Sequence, residues 1–185
     1  MCWGCAVWIA LAEFLAVGAA FDGYLEINGI PGDVQEEHHR DWIRIDGFVD
    51  TVGTDATGEF PIFDSLCMAK STDRATPLLL QHCASGRHLR RARLELVTGE
   101  GERVRFYTIT LSDVLIRSVQ ASGTTAGAEV PAGEKICLAF SGIEWTYTEL
   151  DRSGLPANEV RAWWDLASRK GDIEIVPVFK VTGAK

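Results

Sequence analysis

Residues 21–27, FDGYLEI, place Phe21, Gly23, Leu25 and Ile27 on one side and Asp22, Tyr24 and Glu26 on the other. A period of two predicts a strand, and Asn28-Gly29 and Pro31-Gly32 end it with turn chemistry. The alternation returns in DWIRIDGFV, where Ile43 and Ile45 oppose Trp42, Arg44 and Asp46. The stretch TVGTDATGEF is rich in Gly and Thr and reads as an extended loop. The period then changes. Between Thr72 and Ala84, apolar residues fall at Ala75, Leu78, Leu79 and Cys83, the stripe of an amphipathic helix. Thr72 or Asp73 is the expected N-cap, Pro77 falls in the early turns, and Gly86 is placed to stop the helix in a left-handed conformation.

Strands resume after the helix. RRARLELV sets Arg91, Arg93 and Glu95 against Ala92, Leu94 and Leu96; RVRFYTITL sets Arg103, Arg105 and Tyr107 against Val104 and Phe106. TGEGE between them reads as a hairpin turn. DVLIRSVQAS and KICLAFSGIEWTYTEL are further strand candidates, separated by the loop SGTTAGAEVPAGE. In the latter, Ile143, Trp145 and Tyr147 oppose Glu144, Thr146 and Thr148. One helix among many short strands predicts a mainly β architecture, closed or sandwich-like.

At 185 residues, 46% hydrophobic and 24% charged, the chain has the size and composition of one folded domain with a sizeable core. The net charge of −8 argues against nucleic acid as a partner, because phosphate binding needs basic surface. The five cysteines are odd in number and irregular in spacing. They do not read as a disulfide framework, and Cys67, Cys83 and Cys137 are expected to be free and to pack as small hydrophobes.

The first twenty residues, MCWGCAVWIALAEFLAVGAA, are apolar except for Glu13, and no Lys or Arg occurs before Arg40. The run from Ala6 to Ala20 is short for a membrane span and has the length of a signal-peptide core, with Gly18 and Ala20 as small residues for cleavage. The missing basic region and Glu13 oppose that reading. Cys2-Trp3-Gly4-Cys5 has redox spacing without the βαβ context such a pair needs. A start of translation nearer Val17 is the third reading.

Three clusters suggest chemistry. His82 and Cys83 are adjacent, but neighbours on a helix point about 100° apart, and a reactive thiol wants a helix N-terminus rather than a C-terminus. Packing is the better reading. EEHHRD, Glu36 to Asp41, lacks the convergent spacing of a zinc site and reads as a solvated loop entering a strand. Arg87, Arg90, Arg91, Arg93, Arg103 and Arg105 lack interleaved aromatic platforms. With Glu95, Glu100 and Glu102 nearby they read as an ion-paired sheet surface facing solvent or a subunit. No nucleophile elbow, P-loop, dinucleotide fingerprint or H-E-x-x-H is present, so residue types alone do not support an enzyme.

The ordered set FDGYLEINGIPGD, HRDWIRIDGF, KSTDRATPLLLQHCASGRHLRRARLEL, YTITLSDVLIRSV, EKICLAFSGIEWTY and WWDL resembles the haemolysin-coregulated protein (Hcp) family, from about Phe21 to Leu166. The specific part is x-G-I-P-G, then H-x-x-W-I, then D-x-A-T-P. The resemblance implies the tube protein of the bacterial type VI secretion system. Its fold would be a β-barrel of two sheets with one flanking α-helix, like that of phage tail tubes. It implies hexameric rings stacked into a tube, with sheath and spike proteins as partners and small effectors in the lumen. It implies no catalytic residues, cofactor, metal, nucleic acid or stable membrane insertion, and assembly in the cytoplasm before secretion through the machine. The family loop that contacts the next ring corresponds to Thr51, Val52, Gly53, Thr54, Asp55, Ala56, Thr57, Gly58 and Glu59, and here it looks short. On this reading residues 1–20 are an apolar extension, 21–170 the tube domain, and 171–185 an extension that can add an edge strand. The alternatives are a specialised tube-linked effector or toxin, and an exported thiol-redox protein using Cys2 and Cys5.

Overall fold

Two places where the chain turns a corner organise the computed structural model, which describes residues 21–98, 103–123 and 133–178. The first corner lies inside a single long strand, β8 (Arg105–Ser122). Its first half pairs with β7 (Leu89–Thr98) and β10 (Gly142–Leu150); its second half leaves them and pairs with β9 (Gly133–Ala139). The sequence reading split this strand into two, because the bend at Asp113 breaks the alternation. Asp113 adopts a left-handed φ of 50°, a conformation that Asp tolerates better than most residues.

The second corner spans residues 43–49. Strand β2 (Ile43–Ile45) pairs with β1 (Phe21–Ile27), whereas β3 (Gly47–Val49) pairs with β6 (Leu66–Ser71). Between them the Asp46 amide donates to the Ala69 carbonyl at 2.8 Å. One sheet runs β12-β11-β10-β8-β7-β1-β2, with β11 at Pro156–Asp165 and β12 at Lys170–Pro177. The other comprises β3, β6, β9 and the end of β8, and all pairings are antiparallel. Among the described residues the fold is mainly β, two sheets with one α-helix, as expected. No ladder joins β2 to β6 among the described residues, so the barrel-like wall is not a continuous closed sheet.

The core lies between the sheets. Leu25, Ile43, Leu94, Ile109 and Leu111 from one meet Leu66, Met68, Ile136 and Leu138 from the other, each 0–1% exposed. Of these, Leu25, Ile43 and Leu94 are inward members of the predicted alternations. Helix α1 (Thr76–Ser85) closes one side through Leu79, which is fully buried. Gly86 stops it at φ 62°, as the glycine rule predicts. Its start is corrected from Thr72 to Thr76. Asp73 does not cap in the ordinary way; its carboxylate accepts from the Ala75 amide at 3.0 Å and pairs with buried Lys70 at 2.8 Å.

The stretch expected to be an extended loop is a hairpin, β4 (Val52–Thr54) with β5 (Pro61–Phe63). The expectation of free cysteines is also corrected. Cys67 and Cys137 are directly opposed on β6 and β9 and form a disulfide, with Cα atoms 4.1 Å apart; Cys83 is free. Their pairing depends on the register of two strands 70 residues apart, which spacing alone cannot reveal. Readings that concern residues 1–20 lie outside the described residues, as do most of both glycine-rich turns.

Candidate functional site

The three motifs that make the sequence distinctive meet in space. The Gly32 amide donates to the Asp41 carbonyl at 2.7 Å and the Val34 amide to the Trp42 carbonyl at 3.1 Å. A side chain at Gly32 would sit 2.3 Å from the Trp42 carbonyl oxygen, so only glycine fits this approach. Arg74, ahead of the helix, donates to the Gly32 carbonyl at 2.5 Å and pairs with Asp41. The G-I-P-G, H-x-x-W-I and D-x-A-T-P segments thus form one clip that seats α1 on the wall.

Of the suspected chemical clusters, EEHHRD differs most from expectation. His39 is buried, stacked on Tyr24 with ring centroids 4.1 Å apart. Its ring nitrogens face Glu36 at 2.5 Å and Glu95 at 2.8 Å. Glu95 is buried too and also pairs with Arg93, and with Arg105 at 3.2 Å. Burial pushes the Glu36 carboxyl up, but hydrogen bonds from the His39 ring and the His38 amide hold it below the ordinary value. The solvated-loop reading is corrected for His39 because 3-10 turn Glu37–His39 rotates that one ring inward.

His82 and Cys83 are half-buried, and Cys83 packs against the core. His88 lies elsewhere: it meets Asp113 at 2.7 Å, and the Ser141 hydroxyl donates to the other Asp113 oxygen at 2.7 Å. A catalytic triad needs the imidazole between carboxylate and hydroxyl; here the carboxylate is in the middle, which holds the β8 corner and activates no hydroxyl. Those two hydrogen bonds hold the Asp113 carboxyl below its ordinary value. Most of the arginine cluster is ion-paired, Arg91 to Glu26 at 2.9 Å and Arg103 to Asp22 at 2.6 Å, as the alternation of charge suggested. Among the described residues, no group of three or more His, Cys, Asp or Glu is placed to hold a metal, and no helix is long and apolar enough to cross a membrane.

The unusual surface is apolar. Cross-strand partners share a face, so the core rows can be followed across the sheet. One row is Leu94, Ile109, Trp145, Ala162 and Ile173; the next is Leu96, Tyr107, Tyr147, Val160 and Ile175. At β7 and β8 their members are covered by the second sheet. At β10 to β12 that cover ends: Tyr147 is 50% exposed, and Ile173 and Ile175 are 70% exposed. Tyr107, read from alternation as part of the arginine face, joins the apolar row because a register shift between Leu96 and Val97 changes the phase. Burial and the nearby Asp50 charge push its hydroxyl up to about 12. The β4–β5 hairpin leans over these rows: Phe63 stacks near Trp145 and Trp164, with centroids 6.4 and 6.2 Å away. A cleft of about 570 Å³ remains beneath it, lined by Val52, Pro61, Phe63, Trp163 and Ile173 among others.

Thr51 to Glu59 form the outer part of that hairpin. Asp55 orders its tip, accepting from the Thr57 hydroxyl at 2.9 Å and the Glu59 and Phe60 amides at 3.0 and 3.3 Å. Desolvation pushes its carboxyl up, but these bonds outweigh it and lower the pKa. Ala56, Thr57, Gly58 and Glu59 are all exposed, so the tip is ordered from within and free on its outside.

Comparison with known proteins agrees with the motifs. A family model described as "Type VI secretion system effector, Hcp" matches residues 24–147, more than half of the chain. The chain is 31% identical over 103 residues to Protein hcp1 of Pseudomonas aeruginosa. That match spans 55% of this chain and 62% of the relative, less than two thirds of the relative's length. Among solved structures, Hcp1 from Salmonella typhimurium is similar at 25% identity with a TM-score of 0.72, covering 83% of this chain and 99% of that one. A second, titled a type six secretion system protein, is 25% identical with a TM-score of 0.77, covering 83% of this chain and all of that one. The clip, both corners and α1 all lie within the residues that the family model matches, and the chain belongs to the Hcp family of the type VI secretion system.

Proposed function

We propose that this protein is a subunit of the inner tube of a type VI secretion machine, forming hexameric rings that stack and are expelled with small effectors inside. The observation that carries the reading is the uncovered continuation of the core rows over β10, β11 and β12. Two isoleucines at 70% exposure on an ordered sheet are the kind of surface that a partner covers. In a family of tube proteins, a second copy of the chain is the partner that fits. Cyclic contact between unlike faces closes a ring, and the same subunit repeated along an axis makes a tube.

Residues 21–170 are the tube domain on this reading, and the 171–185 extension, through its part as far as Pro177, widens the ring-forming sheet. Thr51 to Glu59 project from the wall and contact the next ring. Sheath and spike proteins are the remaining partners, effector proteins the cargo, and the cytoplasm the place of assembly before secretion. The role is structural rather than catalytic. Size-exclusion chromatography with light scattering, followed by negative-stain imaging, tests it: six-subunit rings are expected, and a strict monomer at high concentration would overturn it.

A further inference from the structure

The disulfide between Cys67 and Cys137 lies on the outward face of the second sheet. Their strand neighbours Leu66, Met68, Ile136 and Leu138 point into the core, so both cysteines point away from it. Cys67 is half-buried and Cys137 8% exposed. Both open into a cavity of about 320 Å³ that also carries Arg117, Lys135 and Asp64. Lys135 is two residues from Cys137 on the same face of β9. Arg117 sits at the irregularity between Ile116 and Ser118, where Ser118 opposes Cys137. Neither base forms an ion pair among the described residues. A structural disulfide has no need of two unpaired bases; a site of thiol exchange does, because positive charge stabilises a leaving thiolate and draws in an anionic thiol.

We propose that Cys67–Cys137 is a reversible thiol–disulfide exchange site whose co-reactant is a small anionic thiol of the glutathione class. The thiolate of the small molecule attacks Cys67 Sγ, the more accessible sulfur. The Cys67–Cys137 bond breaks, a mixed disulfide forms on Cys67, and Cys137 leaves as a thiolate beside Lys135 and Arg117. A second small thiol attacks the mixed disulfide on its own sulfur, releasing Cys67 as a thiolate and the small-molecule disulfide. Two protons, one from each small thiol, return to the two cysteines. The net change is one protein disulfide and two small thiols to two protein thiols and one small disulfide, and the reverse uses that small disulfide as oxidant. The pair thus follows the redox poise of the compartment, dithiol in a reducing interior and disulfide outside. As the bridge staples β6 to β9, the sheet is locked only after export. This inference does not depend on ring formation.

The test uses the full chain with Cys2, Cys5 and Cys83 replaced by serine, equilibrated in reduced and oxidised glutathione and trapped with a thiol alkylator for mass spectrometry. The pair should interconvert reversibly in the native state. Cys137→Ser should accumulate one tripeptide on Cys67, and reduction should lower the melting temperature by about 5–10 °C. Arg117→Glu with Lys135→Glu should slow reduction by both thiols, because both need the Cys137 thiolate stabilised, and should slow glutathione about tenfold more than neutral mercaptoethanol, because only glutathione carries further negative charge to be repelled. A disulfide that reacts only under unfolding conditions would overturn the proposal, as would charge reversal that slows both thiols equally or neither.

Discussion

Lys70 and Glu134 meet at 2.9 Å with both side chains fully out of solvent. Lys70 also reaches the Ser71 carbonyl at 2.8 Å, and the Thr76 hydroxyl donates to the second Glu134 oxygen at 2.8 Å. The pair therefore pins the start of α1 to β6 and β9. Removing one buried charge strands the other, so Lys70→Met should cost about 3–5 kcal/mol in urea unfolding. The double change Lys70→Met with Glu134→Leu should cost less than Lys70→Met alone. If the double variant is the less stable one, the pair is not held as described.

Leu79 is fully buried on α1, whereas His82 lies off the buried stripe with no hydrogen-bond partner on Nδ1 among the described residues. Leu79→Ala should lose about 2–5 kcal/mol through the cavity it leaves. His82→Ala should stay within about 0.5 kcal/mol and assemble normally. A His82 variant that folds and assembles but is not secreted would show that this ring has a function beyond packing.

Asp113 gives the corner of β8 a pH dependence with a defined sign. Its carboxyl pKa is lowered from 3.8 by hydrogen bonds from Ser141 and His88. The stabilisation is present in full above the unfolded value and is lost as pH falls through the lower folded value. Asp113→Asn, which keeps a residue tolerant of left-handed φ, should melt earlier than the parent near neutral pH, with the gap closing in strong acid. Asp113→Ala should melt earlier still at every pH, because the backbone strain persists. A gap independent of pH would remove the carboxylate from this role.

Ile173 and Ile175 test the ring surface. Ile175→Asp, alone or with Ile173→Asp, should leave the subunit folded by circular dichroism, since both positions are 70% exposed. It should shift light scattering from ring to monomer. Rings that persist in the double variant would place the subunit contact elsewhere.

The hairpin tip addresses stacking separately. Asp55→Ala removes the acceptor for one hydroxyl and two amides and should loosen residues 55–60 without touching the sheet. Rings should form normally, while their assembly into tubes, scored by electron microscopy, should fall sharply.

Local alternation was enough to read β1, β2, β7 and β10 and the inward residues Leu25, Ile43 and Leu94, because side chains on a pleated strand must alternate faces. The end of α1 was legible at Gly86 for an equally local reason, its φ of 62°. The family was legible in the motif order, although why those motifs travel together became clear only when Gly32, Trp42 and Arg74 were seen to touch. The inward turn of His39, the phase change that moves Tyr107 and the buried state of Glu95 were not legible. Each depends on what packs opposite rather than on its own neighbours.

By itself, then, the sequence determined the strand and helix periods, the inward-facing Leu25, Ile43 and Leu94, and the family, since all three are carried by spacing along the chain. Tertiary structure alone decided that Cys67 faces Cys137, that Lys70 finds Glu134, and that the core rows run out past their cover to Ile173 and Ile175. Those outcomes rest on strand register and on where one sheet ends over another, and register is set by contacts between residues far apart in the chain.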